Sequence, residues 1–234
     1  MNTLEISPHR PGRVIATAYN YRMNDFAPYV FKTEDYGATW EALTDGGNGI
    51  PSDTPVRVVR EDPDRRGLLY AGTEFGMFIS FDDGANWQPF QLNLPITPVT
   101  DLQVHEQDLV VATQGRSFWI LDDLTPLHEL PDAVAATPAY LFTPRPAIRG
   151  AGRGARQTVI HYYVADELEG PVTLEILDAA GEAIRSFTGR VGSAAGAAGG
   201  SRVGRGGFGG GARLPVSAGM NRFSWNLQYP EPEL

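Results

Sequence analysis

Residues 80 to 87 read Ser-Phe-Asp-Asp-Gly-Ala-Asn-Trp. Asp82 and Asp83, side by side next to a glycine, have the chemistry for three tasks: the acid and base of a hydrolase, the first ligands of a cation loop, or the acceptors of a tight turn. The pattern is not unique. Residues 33 to 40 read TEDYGATW, and 117 to 124 read SFWILDDL, so the carboxylates recur together with their surroundings. Repetition along the chain is expected of a structural unit rather than of one catalytic centre.

The other reactive side chains form no set. His9, His105, His128 and His161 are far apart, with no H-x-x-x-H or H-x-H pair, and no metal site is expected. The absence of cysteine excludes disulfides, thiolate-bound zinc, iron–sulfur clusters and thiol catalysis. There is no G-x-S-x-G elbow and no phosphate-binding P-loop. The acidic run EDPDRR, residues 61 to 66, reads as a turn whose charges compensate each other. No catalytic set and no cofactor are expected in this chain.

Charge narrows the partners. The net charge of −9 is concentrated in residues 1 to 144, with 20 acidic against 9 basic side chains, whereas residues 145 to 234 carry 8 and 10. Such a surface suits neither nucleic acid nor an anionic membrane. No apolar run reaches 18 residues, and MNTLEISPHR lacks the basic and apolar regions of a secretory leader. An apolar content of 42% is enough for a sizeable core.

The elements that carry the aspartates are short strands. RVIATAY, RGLLYAGTEFG and DLVVATQGR are each followed by a second run, PYVFKTEDYG, MFISFDDG and SFWILDD. LEIS, VRVVRED and DLQVHEQ precede them, and WEAL or WQPF closes the first two units. The offset is 47 residues from Thr33 to Ser80 and 40 from Thr73 to Thr113. About four short strands every 40 to 45 residues is the spacing of β-propeller blades, and no stretch shows a sustained helical period. Blades are expected over about residues 1–45, 55–92 and 98–127.

The motif S/T-x-D-x-G-x-T/N-W resembles the Asp-box of sialidases, sortilin-type ectodomains and bacterial BNR-repeat propellers. Thr33, Asp35, Gly37, Thr39 and Trp40 match it in full; Ser80, Asp82, Gly84 and Trp87 match with Asn86 in place of Thr or Ser. The third copy keeps Asp122 but has Leu124 where glycine belongs and no tryptophan. GTEFGMFISFDDGANW and LVVATQGRSFWILDD together look like the end of the propeller region in large bacterial proteins labelled glycosyl hydrolase or sortilin-like. The resemblance implies that the aspartates staple hairpins, and it implies a location outside the cytoplasm. A sialidase-type reaction would need an arginine cluster, a tyrosine nucleophile and an acidic partner from many blades, which these units do not supply.

In a four-stranded blade the second-to-third loop and the third-to-fourth loop lie at opposite ends. The boxes occupy the latter. The candidate ligand face is therefore the former, with Arg22, Asp25, Glu74, Gln114 and Arg116. Glu74 and Arg116 are expected either to bind a polar ligand or to pair with each other.

After Leu127 the composition turns to Pro, Ala and Gly, and residues 128–156 read as a linker. TVIHYYV, VTLEILD, EAIRSFTG and NRFSWNLQY then form a β module over 157–234. It resembles the Ig-like, FlgD-type module that follows the propeller in the same bacterial proteins. Asn221, Phe223, Trp225 and Tyr229 are expected as core and edge residues, and the glycine-rich tract 189–213 as a flexible excursion.

The fold class expected is all-β: three four-stranded blades of a partial propeller followed by an incomplete Ig-like sandwich. The chain is expected to be a piece of a larger protein, or to complete its ring by self-association. The function expected is a non-catalytic scaffold that binds protein or glycan. The alternatives are the C-terminal part of a secreted glycoside hydrolase with its catalytic residues upstream, and a sortilin-like peptide receptor.

Overall fold

The computed structural model describes residues 2–147, 158–166, 168, 170–190 and 213–229, with the side chains of 131–136 outside that set. The chain is all-β with several antiparallel sheets. It divides into two compact units, Met1–Leu124 and Thr125–Leu234.

The first unit holds three sheets of consecutive antiparallel strands. β1 (Thr3–Ile6), β2 (Val14–Asn20), β3 (Asp25–Thr33) and β4 (Glu41–Ala42) form one, in sequence order. β5 (Val56–Glu61), β6 (Leu69–Thr73), β7 (Gly76–Ser80) and β8 (Gln88–Pro89) form the second. β9 (Val99–His105), β10 (Asp108–Thr113) and β11 (Phe118–Leu121) form the third. β5 packs on β1 and β2, and β9 packs on β5 and β6, so the relation between neighbouring sheets repeats.

Between the first and second sheets lie Ile15, Val30, Leu43, Ile50, Val56, Val59, Leu69, Ala71 and Trp87, all buried. The middle strands β6 and β7 are buried on both faces, which explains why they read as apolar runs rather than alternating ones. Gly72 in β6 shows how close the third sheet comes. A Cβ there would lie 2.6 Å from Cγ1 of Val99 and 2.8 Å from Cγ1 of Val58.

The third sheet has three strands where four are expected, and the turn after β11 supplies the reason. In the first two sheets the turn runs through two successive left-handed residues, Tyr36 (φ 61°) and Gly37 (φ 90°), then Asp83 (φ 63°) and Gly84 (φ 87°). Asp123 takes the first of these conformations (φ 67°), but the next residue is Leu124, for which the second would be strained. Leu124 instead buries completely, its N–H bonded to the Gln107 carbonyl at 2.7 Å. The chain does not turn back, and a helix follows.

That helix, α1 (Thr125–Ala136), opens the second unit. The segment read as a linker thus contains regular structure. Pro126 sits in the first turn, where its missing N–H costs nothing, and two prolines within twelve residues obscure the helical period in the sequence. The same segment supplies a strand, β12 (Ala139–Leu141), which pairs with β13 (Thr158–Val164). Tyr140 donates its hydroxyl to Glu129 of α1 at 3.1 Å.

β13 pairs on its other side with β16 (Gly219–Trp225), while β14 (Pro171–Leu177) and β15 (Ala183–Arg190) form a separate hairpin. The two sheets share one core of Ile160, Tyr162, Val164, Leu174, Phe187, Leu214, Val216 and Phe223, with the Phe187 and Phe223 rings 4.6 Å apart. Asn221 and Phe223 are buried, Trp225 is half-buried and Tyr229 is exposed. The glycine-rich excursion lies outside the described residues, apart from its two ends.

The two box tryptophans are not equivalent. Trp87 is buried and donates its indole N–H to the Leu43 carbonyl of the first sheet at 3.0 Å, whereas Trp40 is 44% exposed and bonds its own turn at Gly37, at 3.2 Å. Trp87→Ala is expected to cost about 3–5 kcal/mol, and Trp40→Ala about 1 kcal/mol or less, in denaturant titrations followed by fluorescence. Equal costs would contradict the packing described.

Candidate functional site

The recurrent aspartates are consumed by their own turns. Asp35 accepts the Thr33 hydroxyl and the Thr39 amide, both at 2.8 Å, and the Thr39 hydroxyl at 2.6 Å. Thr33 Oγ1 in turn accepts the Gly37 amide at 2.9 Å. Asp82 repeats the set with Ser80 (2.8 Å), the Asn86 amide (2.8 Å) and the Asn86 side chain (2.7 Å), and Ser80 Oγ accepts the Gly84 amide at 2.9 Å. The Thr39 hydroxyl and amide hold the Asp35 carboxyl down at about 2. Partial burial works against the charge on Asp82, but the Asn86 and Ser80 bonds outweigh it and lower its pKa.

Asp83 serves a different purpose, one that the sequence did not reveal. It binds Arg13, whose side chain is completely buried, and it accepts Lys32 Nζ at 2.8 Å. Arg13 also forms a fork on Glu61, with Nε to Oε2 at 3.1 Å and Nη2 to Oε1 at 3.0 Å, and pairs with Glu34. One guanidinium from the first sheet therefore gathers two carboxylates of the second and one of its own. Burial opposes the charge on Asp83, but Arg13 and Lys32 more than offset it and the pKa is lowered. Arg13 itself is shifted up: burial pulls against its charge, and the bonds to Asp83, Glu61 and Glu34 win.

The run EDPDRR turns between β5 and β6 as expected, but its charges are not all compensated within it. Glu61 is 2% exposed and its charge is met by Arg13; Asp62 is fully buried and accepts the Tyr70 hydroxyl at 2.8 Å and the Asp64 and Arg65 amides at 2.9 and 3.0 Å. The available signal was that RED closes a strand instead of lying in open loop sequence, and that Arg13 stands immediately before a strand in the preceding repeat.

The second-to-third loops gather at one end of the first unit. Thr17 donates to the Arg57 carbonyl at 3.1 Å, near the loop of the second sheet, and Val99 of the third sheet pairs with Thr113 while approaching Gly72. The candidate ligand residues divide there. Glu74 pairs with Arg57 at 2.7 Å, not with Arg116; the nearer guanidinium, from its own sheet, has taken it. Asp25 accepts Tyr29 Oη at 2.7 Å and the Ala27 amide at 3.1 Å, which lower its pKa. Gln114 is exposed, its backbone bonded to Pro98.

Arg22 and Arg116 are exposed and, among the described residues, have no ionic or hydrogen-bonding partner for their side chains. The other cations of the unit are engaged: Arg10 and Arg66 with Glu34, Arg13 and Lys32 as above, Arg57 with Glu74, Arg60 with Glu5 and Asp101, and Arg65 over the Phe81 ring. Around the two arginines the hairpin tips expose Met23, Phe26, Phe75 and Phe118. Tyr19 and Tyr21 stack at 4.9 Å beside them.

A second concavity lies along the leading strands, bounded by Glu5, Ile6, Arg60, Pro63 and Gln103, with a volume of about 370 Å³. Arg60 spans it, bonding Glu5 at 3.1 Å, Asp101 at 2.7 Å and the Leu102 carbonyl at 2.7 Å. Burial raises the Glu5 pKa despite Arg60, the direction a general acid needs.

No family model matches the sequence, and no curated protein matches it. Among solved structures it is similar to the GH74 enzyme of Niastella koreensis, at 14% identity and a TM-score of 0.42 over 70% of this chain and 26% of that one. The GH74 xyloglucanase from Xanthomonas campestris gives 18% identity and a TM-score of 0.37 over 69% and 26%. YCF48 bound to D1 peptide gives 14% and 0.33 over 70% and 50%. The chain spans about a quarter (26%) of the length of the two GH74 structures.

Removing one partner of a buried ion pair leaves the other uncompensated. Arg13→Met is therefore expected to cost about 3–5 kcal/mol, with Arg13→Lys between it and wild type because an ammonium cannot reproduce the fork. The carboxylates with lowered folded pKa values, Asp35, Asp82 and Asp83, contribute stability above their unfolded pKa, near about 4. That stability is lost as pH falls through the folded values, so melting temperatures should drop from about pH 4 towards about pH 2. Asp83→Asn should flatten this acid limb; an unchanged slope would remove Asp83 from the account.

Proposed function

We propose that this chain is a non-catalytic scaffold, built of propeller-type blades and an Ig-like module, which binds a protein or glycan through the second-to-third loops of its first unit. The observation that carries the reading is the division of labour between the two ends. At one end the repeated carboxylates are saturated by turn amides, hydroxyls and Arg13, and they stay ionised, which disqualifies them as proton donors near neutral pH. At the other end Arg22 and Arg116 have no side-chain partner among the described residues and stand among exposed aromatic side chains. Exposed aromatic groups around a few polar ones are the composition of recognition surfaces. The Asp-box residues Thr33, Asp35, Gly37, Thr39, Trp40, Ser80, Asp82, Gly84 and Trp87 act in this reading as hairpin staples.

A hydrolase reading has one observation in its favour, the raised pKa of Glu5 in a cleft. The two are separated by assaying the full chain on a panel of natural polysaccharides alongside glycan and peptide arrays. The scaffold predicts no turnover above background, and array signals that disappear in Phe75→Ser and Phe118→Ser. Turnover that is lost in Glu5→Gln would replace it with the hydrolase.

A further inference from the structure

We propose that the partner of this loop face is an extended acidic peptide laid across the three hairpin tips, with one carboxylate on Arg22, one on Arg116 and an apolar side chain on Phe75 between them. The proposal rests on the loop-face reading and deepens it. The first unit carries 18 acidic and 9 basic residues, yet 7 of those cations are occupied within the unit and the 2 left over share one end. An arginine that stays unpaired in an acid-rich unit offers a ready counter-charge to an anionic ligand.

Geometry favours a linear partner. Arg22 belongs to the first sheet's loop, Phe75 to the second's and Arg116 to the third's. Stacked sheets lie ~10 Å apart, so the outer tips are separated by roughly 20 Å, the reach of about six extended residues at ~3.3 Å each. A compact sugar acid would meet only one arginine. Phe75 is 56% exposed and Phe118, two residues beyond Arg116, is 76% exposed, which gives apolar side chains a surface midway and at one end. Glu74 adds no repulsion, because Arg57 neutralises it; Asp25 remains charged near Arg22, turned towards Tyr29, and sets a preference for a single carboxylate at that end.

The test is fluorescence anisotropy of the full chain with a labelled peptide of roughly ten residues, carrying two glutamates about six positions apart and a phenylalanine midway. Binding should weaken on going from roughly 0.05 M to roughly 0.5 M salt, and Arg22→Gln and Arg116→Gln should each weaken it about tenfold. Both arginines are exposed and unpaired among the described residues, so the variants should melt as wild type does. Placing the glutamates side by side should lose about tenfold as well. Equal binding of the glutamine version of the peptide, or no effect of either arginine variant, overturns the proposal. If an oligogalacturonate binds through the same arginines while the peptide does not, the peptide is wrong and the loop face stands. If neither probe binds, the peptide proposal fails and the arrays with Phe75→Ser and Phe118→Ser decide the face independently.

Discussion

A guanidinium with no exposure to water is the constraint around which the first unit is organised. Arg13 reaches out of the first sheet and finds Glu61 and Asp83 of the second together with Glu34 of its own. Burying a charge costs several kcal/mol unless its hydrogen-bonding directions are filled, and here they are filled from three sides. This fixes the register between the sheets more tightly than apolar packing does, since Ile15, Val56 and Val59 could slide past one another where a bidentate fork could not.

The blade-like sheets were legible because they are repeated. Each alternation, turn glycine and tryptophan could be checked against a second copy 47 residues away, and local signals that are ambiguous singly become decisive when they recur. Residues that occur once were harder to read. Glu61 and Asp62 look like any polar turn, because burial is decided by what the neighbouring sheet brings, and Arg13 lies 48 residues from Glu61. Glu74 was correctly placed on the loop but given the wrong partner, since side-chain pairing depends on reach across a strand pair that the sequence does not show.

The second unit tells the same story with less repetition to help. β13 to β16 were visible through their alternation, and Phe223 and Asn221 are buried as that alternation requires. α1 and β12 were missed because prolines and alanines read as linker, although Glu129 and Tyr140 bind the two together. Leu124 marks the boundary between regimes: a buried side chain where the earlier repeats have glycine redirects the backbone into the helix.

That same residue leaves β11 with a neighbour on one side only, since among the described residues it pairs with β10 alone. An unpaired border is an invitation for foreign strands to zip on, and long flat ones seed aggregates. Four residues, Phe118–Leu121, present only about two outward peptide groups, too few to nucleate a fibril. Brevity thus does the protective work that charge or proline does on longer borders, and lengthening this strand would carry a solubility risk that its sequence alone conceals.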